Sequence, residues 1–175
     1  MCGSEPSKTP FYTPHLFGKL RAPLSKCPNT LNILIKTWQE AEKEAFSIRH
    51  EVFILEQGVP EDLELDEFDP SAFHALAYEG NQCIGTARLV KLGSSGAQIG
   101  RMAVLASFRG QGIGQQILAG LIALAKSQGI STLVLHAQTT AIPFYEKLGF
   151  MAEGSIYDEA GIPHRNMMLT LSKPV

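Results

Sequence analysis

The chain has 175 residues, 45% of them apolar and 18% charged, and a formal net charge of −2. That length sets one domain around one hydrophobic core as the expectation, and no apolar run reaches bilayer length, because Lys126 interrupts the chain soon after Leu118 to Ala125. The charge balance gives no ground for a nucleic-acid partner. Cys2, Cys27 and Cys83 lie far apart, with no CxxC pair and no metal-ligand spacing, and read as reduced thiols of a cytosolic protein without a metal site.

Residues 1–30 differ from the rest. Pro6, Pro10, Pro14, Pro23 and Pro28 break any periodicity, and Glu5 is the single acid, so the expectation is a flexible, basic leader. An organelle-targeting segment is the alternative, since such segments are acid-poor. The domain proper is expected over residues 31–175. Leu31, Ile33 and Ile35 alternate with Asn32, Leu34 and Lys36 as in a strand. From Trp38 the period becomes helical, with Ala41, Ala45, Ile48 and Val52 on one face.

An acidic loop follows. Glu61, Asp62, Glu64, Asp66, Glu67 and Asp69 crowd between Pro60 and Pro70. Phe73 to Tyr78 and Cys83 to Val90 read as strands joined by a tight turn at Gly80-Asn81. After Gly93-Ser94-Ser95-Gly96, Gln98 to Leu105 is a further strand. The turn Arg109-Gly110-Gln111-Gly112-Ile113-Gly114 then opens a helix with Ile113, Ile117, Leu118, Leu121, Ile122 and Leu124 at helical spacing, closed by Gly129. Thr132 to Leu135 is a strand of buried character. A short helix from about Ala141 to Leu148 stops at Gly149. Met151 to Tyr157 and Asn166 to Leu171 are the last strands, linked by Glu159-Ala160-Gly161-Ile162-Pro163. The order is that of a mixed α/β (α+β) chain.

A strand, a glycine turn and a helix together make an anion site, because converging N–H groups and the helix dipole favour negative charge. Arg109 could add a charge-assisted contact to a phosphate. No acid occurs from Gln98 through Tyr145, as a phosphorylated ligand would require, although buried strands and helix faces also exclude carboxylates. A dinucleotide fingerprint is excluded because Gln115 stands where its third glycine belongs and no acid follows about twenty residues on. A P-loop is excluded because Gly114-Gln115-Gln116 lacks the Lys-Ser/Thr ending.

What remains is Arg-x-x-Gly-x-Gly between strand and helix. Together with Ala141-Ile142-Pro143-Phe144-Tyr145-Glu146-Lys147-Leu148-Gly149-Phe150 downstream, it resembles the Gcn5-related N-acetyltransferase (GNAT) superfamily over about Leu31 to Leu171. His50-Glu51-Val52-Phe53, Glu56-Gln57, Leu65-Asp66-Glu67 and Glu159 to His164 resemble its ElaA/YjcF-like branch. The resemblance implies a mostly antiparallel sheet flanked by helices, with a V-shaped split between two central strands. It also implies acetyl-CoA as cosubstrate and direct attack on the thioester by the amine of a small molecule or peptide. A homodimer is implied as well.

By the same resemblance, Met102, Ala103 and Val104 pair with the pantetheine arm through their backbone. One such N–H would polarise the thioester carbonyl, an effect of roughly 3 kcal/mol per donor. Arg109, Gly110, Gln111, Gly112, Ile113 and Gly114 hold the pyrophosphate, and Gln138 stands where the family often has a cofactor-contacting Asn. Tyr145 is the candidate acid at the departing sulfur. An ammonium of lysine type, with a pKa of about 10.4, must lose a proton before attack. The expected carboxylate beside Met102 is missing, since its neighbours are Gly100 and Arg101. Glu56, Glu67 and His74 are the substitutes, or water relays the proton. His136 and His164 are expected to line the acceptor site. The acidic loop would favour cationic amines if it borders the cleft, and is otherwise a solvated loop. Two alternatives to an amine N-acetyltransferase stay open: a CoA-binding sensor without catalysis, and an aminosugar-phosphate acetyltransferase.

Overall fold

The computed structural model describes residues 31–171; the leader expected over residues 1–30 lies outside them. The elements are β1 (Leu31–Lys36), α1 (Trp38–Arg49), β2 (Phe73–Glu79), β3 (Gln82–Leu92), β4 (Gly96–Val104), α2 (Ile113–Ser127), β5 (Thr132–Gln138), α3 (Ile142–Glu146), β6 (Met151–Glu159) and β7 (Ile162–Thr170). The seven strands form one sheet in the order β1-β2-β3-β4-β5-β7-β6. Every pair is antiparallel except β4 with β5.

Alternation along β2 explains how both faces are covered. Ala75 and Ala77 meet the core stripe of α2, built from Ile113, Ile117, Leu118, Leu121 and Ala125. Leu76 and Tyr78 point the other way, onto Ala41 and Ala45 of α1. The expected helical face continues beyond α1 in a different form. His50–Glu56 is a π-helical turn, and its Val52 joins Ile48 of α1 against Ala103 of β4.

The split opens between β4 and β5. Their ladder runs from Gly96↔Thr132 to Ile99↔Leu135 and stops, although β4 continues to Val104 and β5 to Gln138. A bulge supplies the physical cause. On β3, Thr86 pairs with Ala103 and Arg88 with Gly100, so Arg101 and Met102 together oppose Ala87. Arg101 adopts φ +50°, and the extra residue bends β4 away from β5.

Three strands are longer than their apolar runs suggest. β5 extends through His136 and Gln138, which alternate with the core residues Leu135 and Ala137. β6 and β7 extend to Glu159 and back to Ile162, which shortens the expected five-residue link to Ala160-Gly161. Both central residues have positive φ, +54° and +77°, the conformation of a type I′ turn. The extensions carry His136, Gln138, Glu159 and His164 to the open end of the cleft.

Candidate active site

The two long helices begin differently, and the difference marks the anion site. At α1, Glu40 folds back to accept hydrogen bonds from the Thr37 amide (3.2 Å) and hydroxyl (2.9 Å). At α2 the cap is Gly112, with φ +77°, no side-chain hydrogen bond and no acid in the first turn. The N–H groups of that first turn lack intrahelical partners by construction. A hypothetical Cβ at Gly110 or Gly112 would meet nothing within 4 Å, so open space lies over the turn. These glycines, with Met102, Val104 and Gly114, border a cavity of about 520 Å³ whose charged lining is Arg109 and Lys147. Polar N–H groups, basic side chains and the absence of lining acid fit a polyphosphate.

Arg109 borders this cavity and is at the same time paired within the protein. Its guanidinium makes a two-pronged ion pair with Glu56 (2.7 Å to each oxygen), and Nε donates to the Val104 carbonyl at 2.8 Å. It braces the turn against β4 and the π-helical turn. Gln111 is exposed and donates to the Ser107 carbonyl at 3.3 Å, so only its backbone can serve the turn. Ile113 is buried and anchors the helix start.

A second cavity, of about 410 Å³, lies in the fork itself and is bordered by Gln57, Gly100, Arg101, Leu135, His136, Gln138, Glu159 and His164, among others. Met102 and Tyr145 border both cavities. The Tyr145 hydroxyl points at the Met102 sulfur, 3.5 Å away, and the ring is held edge-on by Phe144 and Phe150. Burial pushes this hydroxyl up to about 12, so at neutral pH it is a proton donor and never a base. Gln138, expected at the cofactor, donates to Gln57 at 2.9 Å and borders the fork cavity.

His136 and His164, expected to line the acceptor site, both border the fork cavity. The three residues offered as bases do not border it. Glu56 is tied to Arg109, whose hydrogen bonds hold its carboxyl below the usual range. Glu67 is exposed on the loop. His74 is buried, donates from Nε2 to the Asp69 carbonyl at 3.0 Å and packs on Trp38; burial lowers its pKa and keeps it neutral.

The acidic loop divides in two: Glu61, Asp62 and Glu67 are exposed, whereas Glu64, Asp66 and Asp69 are paired with arginines. Arg49, wholly buried, binds Glu64 and reaches Asp69 at 2.8 Å. Arg88 binds Asp66 and, at 2.8 Å, Asp69; Arg101 reaches Asp66 at 3.1 Å. Three arginines balance three carboxylates and pin the loop over the fork. An arginine inside an otherwise apolar strand, as at Arg88, was the signal for this buried network. Among the described residues, no cluster of His, Cys, Asp and Glu is arranged to hold a metal, and no helix is long and apolar enough to cross a membrane.

A forked sheet, an uncapped glycine turn and a tyrosine at the junction of two cavities together define an acyltransferase of the GNAT type. The chain belongs to that family, since the acetyltransferase (GNAT) domain model matches residues 37–171. It is 39% identical over 132 residues to YjcF, an uncharacterised N-acetyltransferase of Bacillus subtilis (strain 168), covering 74% of this chain and 93% of that protein. It is 30% identical over 124 residues to ElaA of Escherichia coli (strain K12), covering 69% of this chain and 81% of ElaA. An acyl-CoA N-acyltransferase structure from Pseudomonas aeruginosa superposes with a TM-score of 0.71 at 26% identity, covering 79% of this chain and 99% of that one.

Proposed function

We propose that this protein transfers an acetyl group from acetyl-CoA to a primary amine of a small molecule or peptide, by direct attack within the fork. The observation that carries this reading is the meeting of the two cavities at Met102 and Tyr145. The turn from Gly110 to Gly114 would hold the pyrophosphate, and the backbone of Met102, Ala103 and Val104 would hold the pantetheine arm. Bound acetyl-CoA supplies an activated acetyl thioester. The bulge frees backbone groups of β4 from the sheet ladder, so an N–H there can polarise a carbonyl. Tyr145 donates a hydrogen bond to the sulfur as it leaves. Holding both reactants in one fork supplies much of the rate.

Cytoplasmic residence fits Cys83, a partly buried thiol that burial pushes up to about 11 and so makes unreactive. Thermal unfolding with acetyl-CoA, followed by an assay of CoA release across peptide amines, polyamines and glucosamine 6-phosphate, tests the reading. Cosubstrate at a hundred times its Kd should stabilise the fold by roughly 2.7 kcal/mol. Tyr145→Phe should keep that shift and lose about 10²-fold in kcat. No thermal shift at saturation would sink the proposal, and a shift without CoA release from any amine would favour a non-catalytic CoA sensor.

A further inference from the structure

The acceptor cavity contains a pair of imidazoles whose partners fix which nitrogen carries the proton. His136, on β5, stands one residue beyond the point where the β4–β5 ladder ends. Its Nδ1 lies 3.2 Å from the Glu159 carboxylate. His164, on β7, has Nδ1 2.8 Å from the Ile162 carbonyl. A carboxylate and a carbonyl can only accept, so each Nδ1 bears the hydrogen. In a neutral ring the lone pair then sits on Nε2. The Tyr157 ring separates the two, edge-on to His136 at 5.9 Å and stacked on His164 at 6.2 Å, and its hydroxyl is fixed by Asn166 at 2.8 Å.

Resting on the acetyltransferase reading, we propose that these imidazoles form the amine subsite, with His136 the proton acceptor and Glu159 its positioning residue. An Nε2 lone pair accepts a hydrogen bond from an ammonium and then takes its proton. His136 is favoured over His164 for two reasons. Its partner is a carboxylate, which steadies the imidazolium that forms, whereas a carbonyl offers less. It is exposed, whereas His164 is buried, so the proton can pass on to water. Glu159 bonds it and Tyr157 packs on it from β6, while His164 on β7, Arg101 on β4 and Tyr145 on α3 border the same cavity. Arg88 and Glu64 border the same cavity and are committed to the buried network.

The step balances without a further reagent. The ammonium proton moves to Nε2 of His136, leaving a neutral amine. The amine nitrogen bonds to the acetyl carbon as the carbon–sulfur bond breaks, and the electron pair leaves with sulfur. Tyr145 gives its proton to the thiolate, and the second proton of the tetrahedral nitrogen passes to water, which restores the tyrosine hydroxyl.

Steady-state acetyl transfer to an amine found in the screen, measured for the full chain and its variants, tests the inference. His136→Gln should lower kcat about 10²-fold while the KM for the amine and the thermal shift with acetyl-CoA stay within a few-fold. Added imidazole should restore part of the turnover of His136→Ala. Glu159→Gln should lower kcat about tenfold and alter the acidic limb of the kcat/KM pH profile. Wild-type turnover in His136→Gln, or loss of the acetyl-CoA shift in that variant, overturns the assignment while the acetyltransferase reading stands. Absence of transfer by the wild-type chain to every amine tried overturns both.

Discussion

The two sides of the fork are built by different means. The proposed cofactor side is a continuous stretch, Gly110 to Gly114, that would work through backbone N–H groups at a helix start without a side-chain cap. The proposed acceptor side gathers Gln57, Arg101, His136, Glu159 and His164 from separate elements and would work through side chains. Backbone recognition demands glycine at set spacing and therefore marks the sequence. Side-chain recognition demands only that distant residues share a register, and that mark is faint. Variants on one side should therefore leave the other side's binding intact, and the largest effects should come from the network beneath the acceptor side.

Arg49→Met should give the largest loss. Glu64 and Asp69 would stay buried with a partner missing, and a broken buried pair typically costs about 3–5 kcal/mol. Chemical denaturation would measure it, and a loss under about 1 kcal/mol would show that the loop is held by something else. Acid should attack the same region in two stages. Burial lowers the His74 pKa, so the folded state holds fewer protons there than the unfolded chain. Stability therefore begins to fall as pH drops below about 6.5, the unfolded histidine value. Burial opposes ionisation of Asp66 and Asp69, yet hydrogen bonds from Arg88 and Arg49 outweigh it and hold both carboxyls below the ordinary aspartate value. Their contribution is complete above about pH 3.9 and is lost as pH falls further. His74→Gln should remove the upper stage alone in a pH series of unfolding free energies.

Gly112→Ala should give a middling effect confined to the cofactor side. At φ +77° a Cβ costs about 1–2 kcal/mol, while no neighbour lies within 4 Å to clash with it. The fold should survive, and the added methyl would intrude where the anion approaches. Acetyl-CoA affinity should fall about tenfold by calorimetry, equivalent to about 1.4 kcal/mol. The amine KM should stay unchanged. An equal loss on both sides would break the proposed independence.

Much of the fold was legible because its signals are local. The α2 stripe, the turn and the order of the strands all stand in contiguous residues. The fork followed from family likeness, and its physical cause, the bulge at Arg101 and Met102, leaves no compositional trace because any residue can be the extra one. The pairing of Glu64, Asp66 and Asp69 was hidden because charge in a sequence does not declare its partners. Glu64 and Asp69 lie 15 and 20 residues from Arg49, and the third dimension alone joins them. His136 and His164 were legible as cleft residues once strand ends were assigned. Glu159 was not, because the link around it read as a five-residue loop.

That short turn yields the smallest effect and the finest test of the comparison. Ala160 sits at φ +54°, where its Cβ is strained by about 1–2 kcal/mol. Glycine there removes the strain but frees the unfolded chain by about 0.4–1 kcal/mol, so the net gain for Ala160→Gly is about 0.5 kcal/mol. For a chain of this size that is a rise in Tm of about 1–2 °C. Glu159 should keep its place, because the pairing Glu159↔Ile162 belongs to the ladder and glycine accepts the same turn. Ala160→Pro is the opposing case. Proline cannot reach positive φ, so the turn must rebuild and carry Glu159 away from His136. Turnover should then fall while the thermal shift with acetyl-CoA is unchanged, which would place the hairpin's contribution on the acceptor side alone.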